Sequence, residues 1–330
     1  MIANNCITVK TKGEWAFPKP IGNCSIRNMV SVIILNYKSH NETFKYVVHL
    51  KEKIDEELSF VVVDNSDDVN EWNELVNVFI NEYGFPIKKT ETKVLINTDI
   101  LLLKANGNLG YARGNNLGVA AAVETFNPKQ VLISNTDIVI SERISLKKWI
   151  TTLNTQSDIA VIGPAIIGLD GEPQSPCRKL MFRERWFLNL LAYPFNRYIY
   201  KRPDEIIKAE GACKVYRLQG SFLFCDVDKL SRIEWFDEHT FLYGEELILA
   251  ERLSTKEMSM YYDPSIKVLH NHNQIIGSYY SSISRDMMKL KSEAYYYTTY
   301  CHLPKIVYPV GKLCLYIYYG KKAVVDFIKK

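Results

Sequence analysis

The sequence predicts an α/β fold, with a mainly parallel central sheet flanked by helices and a helical C-terminal extension. Three observations carry this. Short β-branched and aliphatic runs alternate with longer stretches of helical period. The runs are apolar throughout, as strands covered on both faces must be, and three of them lead into Asn or Asp. In open α/β sheets the ligand sits beyond the carboxyl ends of the strands, so those polar ends are the first site candidates.

Met29–Asn36 (MVSVIILN) reads as the first strand, and a helical stretch follows over Glu42–Lys53. Leu58–Asp64 (LSFVVVD) repeats the pattern and runs into Asn65-Ser66, before a second helical stretch over Glu71–Glu82. Strand, helix, strand, helix implies right-handed βαβ crossovers. The alternation continues through Ile100–Lys104, a glycine-rich segment Gly107–Gly118, helix to about Phe126 and the strand Gln130–Ser134, which runs into Asn135-Thr136-Asp137. From Ile159 the rhythm loosens into Gly-, Pro- and Arg-rich loops over 163–202, so the second half is expected to serve something other than the first sheet. Residues 1–28 show no period and read as an extension.

Composition narrows the class. Of 330 residues, 47% are hydrophobic and 24% charged, with a net charge of +4, which excludes a disordered or collagen-like chain. So small a charge gives no expectation of a nucleic-acid partner. Seven scattered cysteines without a C-x-x-C pair argue against a disulfide framework or zinc site and fit a reducing compartment. No apolar run reaches the ~18 residues of a membrane span, and no secretion signal is expected from Met1–Trp15. The expectation is a soluble or peripherally attached protein.

Four segments carry chemistry. Gly107-Asn108-Leu109-Gly110-Tyr111-Ala112-Arg113-Gly114-Asn115-Asn116-Leu117-Gly118 is not G-x-G-x-x-G, which disfavours a dinucleotide dehydrogenase. Its glycines form one helical stripe, suited either to tight helix-on-sheet packing or to close approach of a ligand. Asn135-Thr136-Asp137 places a carboxylate where Mg²⁺ or Mn²⁺ could share it with substrate phosphates, although a plain turn uses the same residues. In Trp235–Leu253 (WFDEHTFLYGEELILAERL), Gly244 gives a sharp turn and Glu245-Glu246 opens a helix beside Phe236, Phe241, Leu242 and Tyr243. Dipole compensation alone explains acids there, while an apolar setting makes a better general base. Last, Ile266–Leu269 reads as a strand ending in His270-Asn271-His272.

Taken in order over residues 29 to 300, these segments resemble the family 2 inverting glycosyltransferases, and within them the rhamnosyltransferase-like branch of bacterial surface-polysaccharide synthesis. VSVIILNYKS is similar to the family's first strand, VVVDNSDD to its second, NGNLGYARGNNLG to its donor segment, SNTD to its D-x-D-like metal motif, and FDEHTFLYGEELILAERL to its base-bearing helix. The resemblance implies a GT-A fold, Rossmann-like in its sheet. It implies a domain over 29–303, with a nucleotide-sugar half (29–140) and an acceptor and base half (141–303). It further implies donor contacts at Asn36, Asp64, Asn65, Asn108, Gly110, Asn116 and Asn135, with Asp64 at the nucleobase. Mn²⁺ or Mg²⁺ would sit on Asp137 and His270, with His272 the alternative ligand, and Glu246 would be the base, with Glu245 the alternative. Two departures stand out: the usual Glu-Asp pair is Glu245-Glu246, one methylene (about 1.5 Å) longer, and the next acid is Ile248.

The implied reaction moves a sugar, with dTDP-L-rhamnose the favoured donor, from a nucleoside diphosphate to a glycan or polyprenyl-diphosphate-linked acceptor, with inversion, in capsule, O-antigen or exopolysaccharide synthesis. The altered base motif keeps a second class open, a catalytically impaired sugar-nucleotide-binding subunit of an assembly complex. A nucleotidyltransferase would need a Gly-rich loop after the first strand, where Leu35-Asn36-Tyr37-Lys38 has none. Arg178, Arg183, Arg185 and Arg197 suit either an acceptor diphosphate or a solvated surface. Residues 304–330 hold six lysines and one acid, so the net positive charge belongs to this tail, and ten of the 21 tyrosines lie at or beyond Tyr279. Such a tail suits a membrane surface bearing anionic lipid, or a helix packed on the catalytic body. The location implied is cytoplasmic, with peripheral attachment to the inner face of the cell membrane as its extension.

Overall fold

The computed structural model describes residues 29–179, 181–188, 206–271 and 281–328. The expected extension 1–28, His272, Arg197 and the side chain of Arg185 lie outside the described residues.

Strand β1 (Val30–Asn36), helix α1 (His40–Lys53), strand β2 (Leu58–Asp64) and helix α2 (Val69–Tyr83) form the first crossover, and β1 and β2 run parallel, from Val30 opposite Leu58 to Asn36 opposite Asp64. Side chains alternate across a strand, so each strand feeds two cores. Val32, Ile34, Phe60 and Val62 pack on one face with Val47 and Leu50 of α1 and Leu75 and Phe79 of α2. Ile33, Val61 and Val63 pack on the other. This explains the unbroken apolar runs.

A hairpin not foreseen in the sequence, β3 (Pro86–Lys89) and β4 (Lys93–Ile96), adds antiparallel to β5 (Ile100–Lys104), and β5 pairs parallel with β2. Helix α3 (Gly110–Phe126) lies on the second core and leads to β6 (Gln130–Ser134), which returns parallel beside β1. Beyond it come β7 (Ile138–Val139), α4 (Lys147–Thr155) and β8 (Ile159–Gly168). A π-helical turn (Arg183–Leu188), β9 (Cys213–Val215), β10 (Phe222–Asp226), α5 (Val227–Ser231), α6 (Glu245–Ser254) and β11 (Ser259–His270) follow, then α7 (Ser282–Thr299) and α8 (Val307–Ile328).

Among the described residues the sheet order is β3-β4-β5-β2-β1-β6-β10-β8-β11-β7, with β9 on β11. Parallel pairing holds across β5-β2-β1-β6 and for β8 with β11, whereas β10 enters antiparallel between β6 and β8. The sheet is therefore mixed at both ends, and the loosened rhythm from Ile159 covers four strands. One of them, β11, is longer than the expected Ile266–Leu269, because Asp263-Pro264 is taken up in a register shift between Asp263 and Lys267 rather than in a break. The chain turns from β2 on one side of β1 to β6 on the other, so a crevice opens at their carboxyl ends.

Candidate active site

Two groups of residues gather at these carboxyl ends. In the first, parallel register sets Asn36 beside Asp64. Asn36 is fully buried; its amide donates to Asp64 Oδ1 at 3.0 Å and Glu71 Oε1 at 3.1 Å, and its oxygen accepts from Thr43 at 2.9 Å. Its hydrogen-bonding capacity is spent within the protein, on Asp64, Glu71, Thr43 and Ser39. Asp64 Oδ1 also accepts from the Ser66 amide at 3.1 Å, while its buried Oδ2 has no hydrogen-bond partner. Burial raises the Asp64 carboxyl above its ordinary value, against the hydrogen bonds from Ser66 and Asn36. Asn65 stitches this loop to the next: it donates to Asn108 Oδ1 at 3.3 Å and to the Gly110 carbonyl at 3.0 Å, and accepts from the Leu109 amide at 2.9 Å.

The glycine stripe divides between two roles. A Cβ at Gly118 would meet Ile33 Cγ2 at 2.5 Å and one at Gly114 would meet Leu35 Cδ2 at 3.0 Å, so both glycines serve contact between α3 and the sheet. Gly110, at φ +76°, lies against the Phe241 carbonyl, 2.2 Å from where a Cβ would stand. Tyr111 N donates to that carbonyl at 2.9 Å. Asn116 grips the same loop further back, donating to the Phe236 carbonyl at 2.9 Å and accepting from the Phe236 amide at 3.1 Å. The glycine-rich segment thus fixes the loop that precedes Glu245.

The second group lines a cleft of about 500 Å³. Asn135, Asp137, His270, Glu245 and Glu246 all face it, with Tyr111, Gln174, Arg217, Gly220 and Lys289. Asn36, Asp64, Asn65, Asn108, Gly110 and Asn116 do not line it; they form the adjoining wall. Pairing of β11 with β7, His270 opposite Ile138, brings His270 beside Asp137: Nε2 lies 3.3 Å from Asp137 Oδ2. Gln174 Oε1 lies 2.7 Å from His270 Nδ1. An amide oxygen only accepts, so Nδ1 donates to it, and Nε2, on the Asp137 side, is the ring nitrogen placed to bind a cation. The Gln174 amide nitrogen is seated against Gly168, where a Cβ would come within 2.7 Å of it. Asp137 Oδ1 is buried and has no hydrogen-bond partner. A carboxylate oxygen left over beside an imidazole lone pair suits a divalent cation, and two protein ligands suffice where substrate phosphates supply the rest. No cluster of three or more His, Cys, Asp or Glu occurs among the described residues, so the substrate would have to contribute.

Across the cleft, Tyr243 (φ +70°) and Gly244 (φ +84°) turn the chain sharply into α6. Glu246 Oε1 accepts from the Gly220 amide at 3.0 Å, and Gly220 has no room for a Cβ, which would stand 2.6 Å from that oxygen. Glu245 is buried and its Oε1 lacks a hydrogen-bond partner. Burial, and after it the charge of Glu246, pushes the Glu245 carboxyl far above its ordinary value. The two acids therefore differ in kind: Glu245 is buried and favours its protonated form, whereas Glu246 is only partly buried. Tyr111 donates to the Gly220 carbonyl at 2.5 Å, and burial together with both glutamates keeps its hydroxyl protonated.

Gln174, Tyr111 and Gly220 were not singled out by the sequence. Gln174 lies in an irregular loop with no period to mark it. Arg178 is occupied within its loop, donating to the Lys179 carbonyl at 3.0 Å and lying 3.5 Å from Glu184.

No family model matches the chain. It is 24% identical over 247 residues, 73% of this chain and 67% of the other, to the low-salt glycan biosynthesis hexosyltransferase Agl10 of Haloferax volcanii. Its structure is similar to that of the mannosyltransferase PcManGT from Pyrobaculum calidifontis in complex with GDP-Man and Mn²⁺, with a TM-score of 0.51 and 12% identity, covering 90% of this chain and 74% of that one. It is also similar to GalNAc-T7 with UDP, GalNAc and Mn²⁺, with a TM-score of 0.52 and 11% identity, covering 84% of this chain and 52% of that one. The chain has the α/β fold of the GT-A glycosyltransferases.

Proposed function

We propose that the chain transfers a hexosyl group from a nucleoside diphosphate sugar to an acceptor hydroxyl. One observation carries this reading: a partnerless Asp137 oxygen and an oriented His270 face the same cleft as Glu246. Similarity to a hexosyltransferase over 73% of the chain supports it. Asp64 would accept from the nucleobase through Oδ2, in the wall that Asn36 and Asn65 hold. Asp137 and His270 would hold a divalent cation, whose positive charge offsets the negative charge gathering on the departing diphosphate. The imidazole nitrogen favours Mn²⁺ over Mg²⁺, which prefers oxygen ligands alone.

Glu246 takes the proton of the acceptor hydroxyl as the new glycosidic bond forms, and the Gly220 amide fixes the carboxylate that does so. Attack from the face opposite the leaving diphosphate gives inversion. Glu245, kept neutral by burial, adds no second charge beside the base. A rhamnosyl donor and a surface-polysaccharide or polyprenyl-linked acceptor are the finer form of the reading, and rest on the sequence resemblance. The binding-subunit alternative gains nothing from a cleft in which the carboxylates and the imidazole all converge.

The test is a panel of nucleotide sugars scored for nucleoside diphosphate release, with and without Mn²⁺. Release from one donor in the parent, lost in Asp137→Ala and lowered by about 10²–10⁴-fold in Glu246→Gln, with thermal midpoints unchanged, is the expected outcome. Near-parental turnover in Glu246→Gln would move the base elsewhere, and no release from any donor would favour the binding subunit.

A further inference from the structure

Helix α8 buries one face and leaves a second apolar face uncovered by any described residue. The buried face carries Val307, Cys314 and Leu315, packed with Leu290 of α7 and Trp186 of the π-helical turn. Gly311 makes the approach close, since a Cβ there would stand 2.5 Å from Leu290 Cδ1. The Tyr319 hydroxyl ties α8 to Asp286 at 2.6 Å. The tail is therefore a helix packed on the catalytic body, and packing uses only half of it. The other half exposes Leu313 (60%), Tyr316 (57%) and Val324 (58%), with Ile317 beside them, and Ile306 (62%) just precedes the helix.

At about 100° per residue the four helical side chains fall on a stripe roughly 100° wide. Lys312 borders it on one side and Lys321 on the other. Among the described residues no helix is long and apolar enough to cross a membrane, so a helix of this kind would lie on a surface rather than span it.

We propose that this face of α8 docks on a lipid bilayer containing anionic headgroups. Charge decides between the two occupants an apolar stripe can take. Pairing the stripe with that of a second copy would bring its lysine borders against lysine borders. An anionic headgroup layer instead neutralises both borders while the apolar stripe enters the acyl boundary, and Tyr316 suits the interface between the two. Residues 304–330 hold six lysines and one acid, a net +5 against +4 for the whole chain, so the net attraction is local to this helix. The placement also matters for the cleft. Helix α7, on which α8 rests, supplies Lys289 and Glu293 to its lining, so a bilayer under α8 lies on the flank from which a membrane-borne acceptor would enter. That last point rests on the transfer reading; the docking itself does not.

The test is co-sedimentation of the full chain with vesicles of phosphatidylcholine alone and with about one third phosphatidylglycerol. The parent should pellet with anionic vesicles at least tenfold more strongly than with neutral ones. Leu313→Asp combined with Val324→Asp should abolish pelleting, while nucleotide release and the thermal midpoint stay at parental values, since both side chains are exposed. Lack of pelleting by the parent, or equal pelleting by parent and variant, overturns the proposal. A concentration-dependent dimer in light scattering that the double variant dissolves, without vesicle binding by the parent, assigns the face to self-association instead. Failure of the donor panel would leave the vesicle result intact, so the two readings fail separately.

Discussion

The Asp137–His270 pair depends on a third side chain, because the Gln174 oxygen selects which imidazole nitrogen carries the proton. Gln174→Leu leaves Nδ1 without its acceptor and lets the ring choose the other tautomer, which withdraws the lone pair from the cleft. We expect the affinity for Mn²⁺ in the presence of nucleoside diphosphate to fall by about 10–100-fold, read by titration calorimetry, with the thermal midpoint near parental; unchanged affinity would reduce Gln174 to loop packing. Glu245 gives a second prediction, in pH. Its carboxyl is raised by burial, so the folded state prefers it protonated. The associated stability is complete below the unfolded value of about 4.3 and is lost as pH rises through the folded value. Glu245→Gln removes that loss. Thermal midpoints of variant and parent should agree near pH 4 and diverge in favour of the variant as pH rises, and a difference independent of pH would count against burial as the cause.

At the scale of elements, α3 shows how packing and site share residues. Gly118→Ala gains about 1 kcal/mol of helix propensity but drives a methyl group to 2.5 Å from Ile33 Cγ2, a branched carbon held close to its strand. Overpacking of this kind costs about 1–3 kcal/mol, so the urea midpoint should fall. Gly320→Ala in α8, with nothing within 4 Å of the added carbon, should raise it. A rise in both would mean that α3 can lift off the sheet at little cost. The asparagines teach the same lesson. Asn36, Asn65, Asn108 and Asn116 were expected at the donor, and the structure shows them hydrogen-bonded to Asp64, Gly110 and Phe236. Sequence spacing shows that polar residues gather at one end of a sheet, but whether an amide faces a ligand or a neighbouring loop is decided by contacts between segments far apart in the chain.

For the whole molecule, the first half was legible because each βαβ unit is local: strand, helix and strand follow one another, and the apolar runs declare themselves. Helices α4 and α7 and strands β8, β9 and β10 were not, since β8 and β10 are defined by partners on either side of a long loop, and β3 and β4, four residues each, are too short for a period to show. The site followed the same division, with Asp64, Asp137 and Glu246 visible as strand and helix ends, and Gln174 and Gly220 visible only once the loops had closed. Strand β10 also bears on how the chain folds. It fills the open edge of β6, with Phe222 opposite Ser134, yet it lies far downstream. During synthesis the hydrophobic edge of Gln130–Ser134 therefore stands unpaired until Phe222–Asp226 emerges, and closing such distant contacts is slow and open to wrong partners. Assembly of the sheet, and with it the cleft, waits on a segment made late, so truncation before Phe222 leaves a sticky half-sheet rather than a smaller working domain.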